Sequence, residues 1–189
     1  MFLRPTEIVE KFKLSSGMVV ADFGSGSGHY AIAAAKELRG TGTVYAIDVQ
    51  KDLLAAVKTE AESKHLNNLE IIWGDVENDK GSRLADESVD FVIISNLLFQ
   101  AQDKAAIARE TRRVLKIGGM AAIIDWSDSF GGTGPTPNMV VPKSKAEEIF
   151  IMEDFKLEKE LDAGSHHYGM IFKKNSSSVN KSLNNSHFL

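Results

Sequence analysis

Short apolar segments alternate with amphipathic segments along most of this chain. Five apolar segments are rich in β-branched residues and have the length of buried strands. These are residues 18–23, 44–49, 69–73, 89–95 and 120–126. Helical periodicity is clearest over 51–65 and 103–116, and we expect Gly118-Gly119 to end the second helix because glycine tolerates a left-handed cap. The repeated β-α-β spacing predicts an α/β fold, a doubly wound sheet with helices on both faces.

The last third of the chain departs from this alternation. Residues 127–142 hold three Gly and three of the four Pro, which predicts a loop, and a helix is expected over 143–152. Residues 155–162 and 167–173 then have the composition of strands. Their short link, Ala163-Gly164-Ser165, predicts an antiparallel hairpin, because a parallel crossover needs a dozen residues or more.

Composition limits the class of protein. The 189 residues have the length of one domain, and 43% of them are hydrophobic, which is enough for a core. We expect this domain to span residues 1–174, followed by a disordered Ser- and Asn-rich tail over 175–189. The formal net charge of −4 lacks the basic footprint of a nucleic-acid-binding protein, so we expect no nucleic-acid partner.

The chain contains no cysteine, which removes several chemistries at once. Disulfides, thiolate nucleophiles and Cys-ligated zinc or iron–sulfur centres are excluded, and we predict no metal site. We find neither a signal-peptide pattern nor an apolar run near the ~20 residues of a membrane helix. These observations favour a cytoplasmic protein without a membrane partner.

A glycine-rich segment, VVADFGSGSGHYA at residues 19–31, carries the strongest chemical signal. A strand ends near Asp22, and Gly24, Gly26 and Gly28 follow at alternate positions before a helix begins. Glycines let the backbone turn sharply and approach a ligand, and the helix N-terminus offers free N–H donors. We therefore expect a ligand with an anionic or polar end to bind here.

The spacing of these glycines differs from the dinucleotide fingerprint. G-x-G-x-x-G would require glycine at position 29, which is His29. Asp22 would repel a pyrophosphate but could pair with an ammonium group. The segment therefore favours a nucleoside that carries a carboxylate and an amine over NAD.

Two further acids end the next strands. Asp48 closes VYAID, where a carboxylate can accept both hydroxyls of a ribose, although such an acid can also cap a helix. Asp75, in WGDVE, could accept from an adenine amino group, with Val76 packing on the ring. The alternative for Asp75 is a turn or cap residue. Together with the glycine-rich segment, Asp48 predicts a nucleoside site.

The chain resembles a known family in the order of its motifs. These are VADFGSGSG, VYAIDV, GDVE, DFVIISNLLFQ and RRVLKIGGMAAIID, followed by the hairpin. The family is the class I S-adenosylmethionine-dependent methyltransferases, particularly small enzymes of the ubiquinone/menaquinone C-methyltransferase type. The resemblance covers residues 5–173. It implies a Rossmann-like mixed sheet of about seven strands, S-adenosyl-L-methionine as cofactor, and methyl transfer to an acceptor.

The resemblance also assigns the cofactor-binding residues. It implies that Asp22, Gly24, Gly26 and Gly28 bind the methionine end. Asp48 would bind the ribose, Val49 the face of the adenine, and Asp75 with Val76 its edge. Asn96, at the end of the fourth strand, would lie beside the sulfonium and the acceptor.

Candidate catalytic residues come from the edge of the sheet where the parallel strands end. Ligands of such sheets bind beyond these carboxyl ends, near Asp125 and the loop that follows it. The hairpin turn should lie on the same edge, and of His166 and His167 only one should face the pocket, because strand neighbours point to opposite faces. We select His167 and Asp125, while a structural histidine and a loop-capping acid remain alternatives.

The sequence also narrows the class of acceptor: a small molecule is favoured, while a protein acceptor remains an alternative. Ser95-Asn96-Leu97-Leu98 does not match the N/D-P-P-Y motif of enzymes that methylate exocyclic amines or glutamine amides. Without cysteine, methylation through a thiol adduct or a thiol relay is excluded, including thiol-relayed arsenic methylation. Two alternatives to a methyltransferase are a nicotinamide-dependent oxidoreductase and a non-catalytic module that binds S-adenosylmethionine.

Overall fold

The computed structural model describes residues 4–132 and 134–176. Its helices are α1 (Pro5–Glu10), α2 (His29–Glu37), α3 (Lys51–Ser63), α4 (Lys104–Val114) and α5 (Lys143–Met152). Its strands are β1 (Val19–Phe23), β2 (Thr43–Asp48), β3 (Leu69–Trp73), β4 (Val89–Ser95), β5 (Leu115–Trp126), β6 (Phe155–Asp162) and β7 (His167–Lys174). The tail expected over 175–189 lies outside the described residues except for its first two.

The strands form one mixed sheet in the order β3-β2-β1-β4-β5-β7-β6. Neighbours from β3 through β5 are parallel, and β7 runs antiparallel to both β5 and β6. The doubly wound sheet with a reversed C-terminal hairpin is therefore confirmed. Because β6 runs in the direction of β5, the β6–β7 turn lies at the edge where the parallel strands end.

Alternating side chains of the strands build two cores, one on each face. Ala21 and Phe23 pack with α4 and α5, whereas Val20 packs with α1, α2 and α3. On the second face, the rings of Phe12 and Phe91 stack 5.2 Å apart and hold the segment after α1 against β4. The period of two that predicted strands thus divides their residues between two helical layers.

The end of α4 differs from the expectation. The helix ends at Val114, and Leu115 is already extended, with φ −69° and ψ 135°. The carbonyls of Arg113 and Val114 accept hydrogen bonds from the backbone N–H groups of Glu87 and Ser88, at 2.9 and 2.8 Å. The prediction that Gly118-Gly119 ends the helix is therefore wrong: these glycines lie within β5, beside a register irregularity in its pairing with β4.

Over the described residues, no helix combines the length and the apolar character that a membrane crossing requires. Within the same residues, no group of three or more His, Cys, Asp or Glu side chains is arranged to hold a metal ion.

Candidate active site

Two adjoining cavities lie where the parallel strands end. The larger has a volume of about 850 Å³ and is walled by α1, the glycine turn, the ends of β4 and β5, and the hairpin. The smaller, of about 220 Å³, lies against the ends of β2 and β3. Gly24 and Gln100 contribute to the walls of both. The glycine turn thus separates two compartments that one elongated ligand could occupy together.

The three glycines of the turn differ in what a Cβ atom at each position would contact. Gly24 has φ +66°, and a Cβ built on it would lie 2.7 Å from Leu97 Cδ1. Gly26, with φ +51°, faces open space in the larger cavity. Gly28 caps α2 with φ +73°, and its Cβ would lie 2.6 Å from Val57 Cγ2. Gly26 therefore leaves room beside the backbone for a ligand, whereas Gly24 allows Leu97 to pack closely on the turn. Gly28 lines neither cavity and allows α3 to pack closely.

Asp22 lies in the wall of the larger cavity with only 1% of its surface exposed. Its Oδ2 atom has no hydrogen-bond partner among the described residues. Burial raises the pKa of Asp22 to about 8; a hydrogen bond from the Ala31 backbone opposes this shift, and the nearby Asp48 charge adds to it. A cationic ligand group at Oδ2 would favour the ionised carboxylate.

Ser25 provides a second unpartnered buried atom at the same place. Its Oγ has no hydrogen-bond partner among the described residues, and it lines the larger cavity beside Asp22. Buried polar atoms are normally satisfied, so an orphaned pair in a cavity wall indicates a place for a polar ligand. A carboxyl oxygen and a hydroxyl match the ammonium and carboxylate of an amino acid.

Asp48 joins the glycine turn to the sheet. Its Oδ2 accepts a hydrogen bond from the Gly26 N–H and its Oδ1 accepts one from the Gln50 N–H, each at 2.8 Å. A carboxylate oxygen has two lone pairs, so each can accept one more hydrogen bond. Asp48 lines the smaller cavity, where it can hold the turn and bind ligand hydroxyls together.

The other walls of the smaller cavity are apolar and acidic. Val49 is 54% exposed, and Val76 is buried. Asp75 accepts hydrogen bonds from the Glu77 N–H at 3.0 Å and from the Asn78 side chain at 2.8 Å. All three predicted residues line this cavity together with Asp48. A flat polar ring can therefore bind here, with its face on the exposed Val49 side chain and its polar edge toward the carboxylates.

Asn96 and His167 form a polar pair within the larger cavity. His167 Nε2 lies 3.1 Å from Asn96 Oδ1, which can only accept a hydrogen bond, so the ring carries its proton on Nε2 in this arrangement. Asn96 has φ +51°; its N–H donates to the Ile124 carbonyl at 2.8 Å, and its carbonyl accepts from Gln100 at 2.9 Å. Neighbouring backbone and side-chain groups thus hold Asn96 in the left-handed conformation.

The imidazole of His167 also stacks on Trp126, with the ring centres 4.3 Å apart. Burial lowers the pKa of His167, and the adjacent His166 lowers it further. A neutral imidazole is therefore the state expected near pH 7. With Nε2 protonated toward Asn96, the basic atom of this ring is Nδ1.

His166 does not line the cavity, in agreement with the prediction that only one of the two adjacent histidines faces it. Its Nδ1 lies 3.0 Å from an oxygen of Asp128, and its ring stacks on Phe130 at 3.8 Å. The backbone of His166 also accepts a hydrogen bond from the Ser127 N–H at 2.9 Å. This histidine therefore ties the loop after β5 to the hairpin.

Asp125 is fully buried and lines neither cavity. Its Oδ2 accepts hydrogen bonds from the N–H groups of Leu98 at 2.8 Å and Phe99 at 3.3 Å, and its Oδ1 accepts from Trp126 at 2.7 Å. Burial raises the pKa of Asp125 to about 6 against these hydrogen bonds. The geometry favours the loop-capping alternative over a catalytic base, because the carboxylate positions the segment that carries Phe99.

The walls of the larger cavity include residues that the sequence analysis did not select. Pro5 and Ile8 of α1, Phe99, Gln100 and Ala163 all contribute. The signal for α1 was present, since Pro5 stands at the first helical position and Glu7 forms a capping box with Arg4. Ala163 lies in the hairpin turn that was predicted at this edge, whereas no local pattern marks Phe99, which reaches the cavity through the tertiary fold.

Comparison with known proteins identifies the family to which this chain belongs. A family model described as a methyltransferase domain matches residues 14–183. A demethylmenaquinone methyltransferase of Listeria welshimeri is 31% identical over 121 residues, which cover 64% of this chain and 50% of the relative. An arsenite methyltransferase of Halobacterium salinarum is 30% identical over 112 residues, or 59% of this chain and 28% of the relative. The chain thus spans half the length of these curated relatives or less.

A solved structure extends the similarity to the whole fold. A SAM-dependent methyltransferase from Aquifex aeolicus superposes with a TM-score of 0.80 and 26% sequence identity, covering 89% of this chain and 88% of that one. The chain therefore belongs to the methyltransferase-domain family and has the class I fold of methyltransferases that use S-adenosyl-L-methionine.

Proposed function

We propose that this chain transfers the methyl group of S-adenosyl-L-methionine to a small-molecule acceptor bound in the larger cavity. The observation that carries the proposal is the pair of adjoining cavities that share Gly24. One contains three residues suited to adenosine, Asp48, Val49 and Asp75. The other contains the unpartnered Asp22 oxygen and the His167–Asn96 pair.

The residues at this site fit the cofactor. Asp22 would bind the ammonium of the methionine moiety, and Ser25 its carboxylate, which would satisfy both orphaned atoms. Asp48 would accept the ribose hydroxyls with its remaining lone pairs. Val49 and Asp75 would bind the face and the edge of the adenine, so the same five contacts would bind the cofactor and its by-product alike.

When bound, the cofactor supplies a methyl carbon that its sulfonium already activates. Its transfer would leave the electron pair of the broken bond on sulfur, so the residues of the chain would need only to hold the acceptor atom in line with the methyl carbon. The contribution of the chain is alignment and the exclusion of water, for which effective molarities of ~10⁵ M or more are known. The residues that border the reacting space include Asn96, Phe99 and Trp126.

An acceptor that arrives protonated must also lose a proton. We assign this proton to Nδ1 of His167, because Asn96 fixes the tautomer with Nε2 protonated. The lowered pKa of His167 keeps the base neutral at physiological pH. Asn96 then has the role of orienting the base.

The named relatives act on acceptors of different chemistry, arsenite and demethylmenaquinone. The absence of cysteine from this chain disfavours a thiol-relayed transfer to arsenic. A small organic acceptor is the proposal that remains, in agreement with a cavity of about 850 Å³.

Binding of S-adenosylhomocysteine and NADH, measured in parallel by thermal shift, tests the proposal. We expect stabilisation by S-adenosylhomocysteine and none by NADH; stabilisation by NADH alone would favour an oxidoreductase. Incubation with methyl-labelled cofactor and a metabolite extract then tests the transfer itself. A protein that binds the cofactor but labels no product across the extract would be a non-catalytic binding module.

A further inference from the structure

The connection between β4 and α4, residues 96–103, borders both cavities. Asn96 and Phe99 line the larger one, Leu97 lines the smaller one, and Gln100 lines both. The connection belongs to no helix or strand. Its backbone groups therefore lack the repeating hydrogen bonds of regular structure, and its shape depends on partners elsewhere in the chain. The groups that hold this connection also determine the shape of the cavities where they meet.

Two carboxylates supply these partners. Asp125 accepts two backbone N–H groups near the middle of the connection. At its far end, Glu77 Oε2 accepts hydrogen bonds from the N–H groups of Gln102 at 2.8 Å and Asp103 at 2.7 Å. Hydrogen bonds to an ionised acceptor are shorter and stronger than those between neutral groups. Glu77 therefore fixes the end of the connection to a loop that lies 25 residues earlier in the chain.

The hydrogen bonds of Glu77 lie outside the first turn of α4. The helix begins at Lys104 and has its own N-cap, Asp103, whose Oδ1 accepts from the Ala106 N–H at 2.9 Å. Both donors to Glu77 precede Lys104. Asp103 thus satisfies the first turn, whereas Glu77 holds the connection at the point where it enters the helix.

Glu77 itself comes from the nucleoside compartment. It directly follows Asp75 and Val76 and lines the smaller cavity together with them. Its backbone N–H donates to Asp75 Oδ1 at 3.0 Å. The backbone of Glu77 therefore orients the carboxylate that the proposed function gives to the adenine, while its side chain holds the connection at Gln102.

We propose that Glu77 is a positioning residue that ties the adenine-binding loop to the connection between β4 and α4. This proposal rests on the proposed function and adds a residue to its site. Glu77 contacts no reacting atom; it acts through Asp75 on one side and through the connection that carries Asn96 and Gln100 on the other. Order in one compartment is then transmitted to the wall of the other.

The dissociation constant of S-adenosylhomocysteine, measured by calorimetry, tests this role. Glu77→Ala removes the acceptor, so the connection must be ordered at the expense of binding, and we expect the constant to rise about tenfold. Glu77→Gln keeps one oxygen that can accept a hydrogen bond but loses the charge, so it should recover part of the affinity. An unchanged constant in Glu77→Ala would overturn the proposal.

Asp103→Ala is the matched control, since it removes a carboxylate that accepts an N–H group at the start of the same helix. It should lower the Tm to an extent similar to Glu77→Ala but keep the dissociation constant within about twofold of the parent. If Glu77→Ala does not fold, Glu77→Gln and Asp103→Asn repeat the comparison with nearly isosteric changes. Equal losses of affinity at the two positions would mean that Glu77 only supports the helix, which contradicts the proposal.

Hydrogen exchange gives a readout that support of the helix alone would not change. Gln102 and Asp103 line neither cavity, so a bound ligand affects them only through the chain. In the parent, saturation with S-adenosylhomocysteine should slow exchange over residues 101–106, because Glu77 transmits the ordering of the adenine-binding loop. This slowing should be lost in Glu77→Ala and kept in Asp103→Ala. Equal slowing in the parent and in Glu77→Ala would contradict the proposal.

The design separates failure of the positioning role from failure of the function. If S-adenosylhomocysteine does not bind to the parent protein, the proposed function fails and the role of Glu77 fails with it. If it binds to the parent and equally well to the Glu77 variants, the function stands and the positioning role is wrong.

Discussion

The protonation of Asp22 predicts how cofactor binding depends on pH. In the free protein its carboxyl is buried, has an unpartnered oxygen and has a pKa raised to about 8. An ammonium beside it requires the ionised form, so the cofactor must displace a proton whenever the pH lies below this value. Binding should therefore weaken as the pH falls.

The size of the effect follows from the pKa. With a value of about 8, Asp22 is half ionised at pH 8, about one tenth ionised at pH 7 and about one hundredth ionised at pH 6. Each pH unit below 8 costs up to about 1.4 kcal/mol of binding free energy. The dissociation constant of S-adenosylhomocysteine should therefore rise about fiftyfold between pH 8 and pH 6, with nearly one proton released per cofactor at pH 7.

Calorimetry in two buffers of different ionisation enthalpy measures both quantities. Asp22→Asn is the matched variant: it keeps the shape but cannot ionise, so its dissociation constant should change little over this range. At pH 8 it should bind more weakly than the parent, and near pH 6 the two should converge. A parent protein whose affinity is constant from pH 6 to pH 8, with no proton release, would refute the reasoning.

The same pKa predicts the stability of the free protein. The folded-state pKa of Asp22 is raised above its ordinary value, so the neutral carboxyl stabilises the fold at low pH. This contribution is lost as the pH rises toward about 8. Asp22→Asn should therefore raise the Tm at pH 8 relative to the parent and change it less at pH 5, which thermal denaturation measures without any ligand.

Three other predictions follow from the site. His167→Gln should lower kcat by about 10²–10⁴-fold if the base role is correct, while the affinity for S-adenosylhomocysteine stays within twofold or so; an unchanged kcat would contradict it. Asp48→Ala should weaken cofactor binding by about 1–3 kcal/mol in calorimetry, because ligand hydroxyls and the Gly26 N–H lose their acceptor; unchanged affinity would refute the ribose assignment. Gly28→Ala should destabilise the fold by about 1–3 kcal/mol in urea denaturation, because the added Cβ would clash with Val57. Gly26→Ala controls for backbone strain, because Gly26 also has a positive φ but faces open space. Equal losses of stability in the two variants would show that the packing against Val57 is unimportant.

The parts of the fold that sequence reasoning anticipated depend on local signals. The strands follow from β-branched apolar runs, and the reversed hairpin follows from the three-residue link at Ala163. Alternation along a strand predicted that only one of His166 and His167 faces the pocket, and His167 alone of the two lines the larger cavity. Where one periodicity or one tight turn determines the geometry, sequence alone was sufficient.

The parts that were missed depend on tertiary contacts. The end of α4 is decided by Glu87 and Ser88, which bind its last carbonyls, and not by Gly118. For Asp125 the sequence left a catalytic base and a loop cap as alternatives, and only the tertiary fold brings its carboxylate to the N–H groups of Leu98 and Phe99. Such choices are made between segments distant in sequence, and no local pattern records them.

The contact between Gly24 and Leu97 has a kinetic consequence. Leu97 packs so closely on the turn that even a Cβ at Gly24 would displace it, and it directly follows Asn96. Close-packed atoms transmit small displacements. If the glycine turn shifts when a cofactor binds, Leu97 must shift with it, and so must the adjoining Asn96, which orients His167. The acceptor compartment would then reach its working shape only after the nucleoside compartment is filled, which makes cofactor first, acceptor second the natural order of binding.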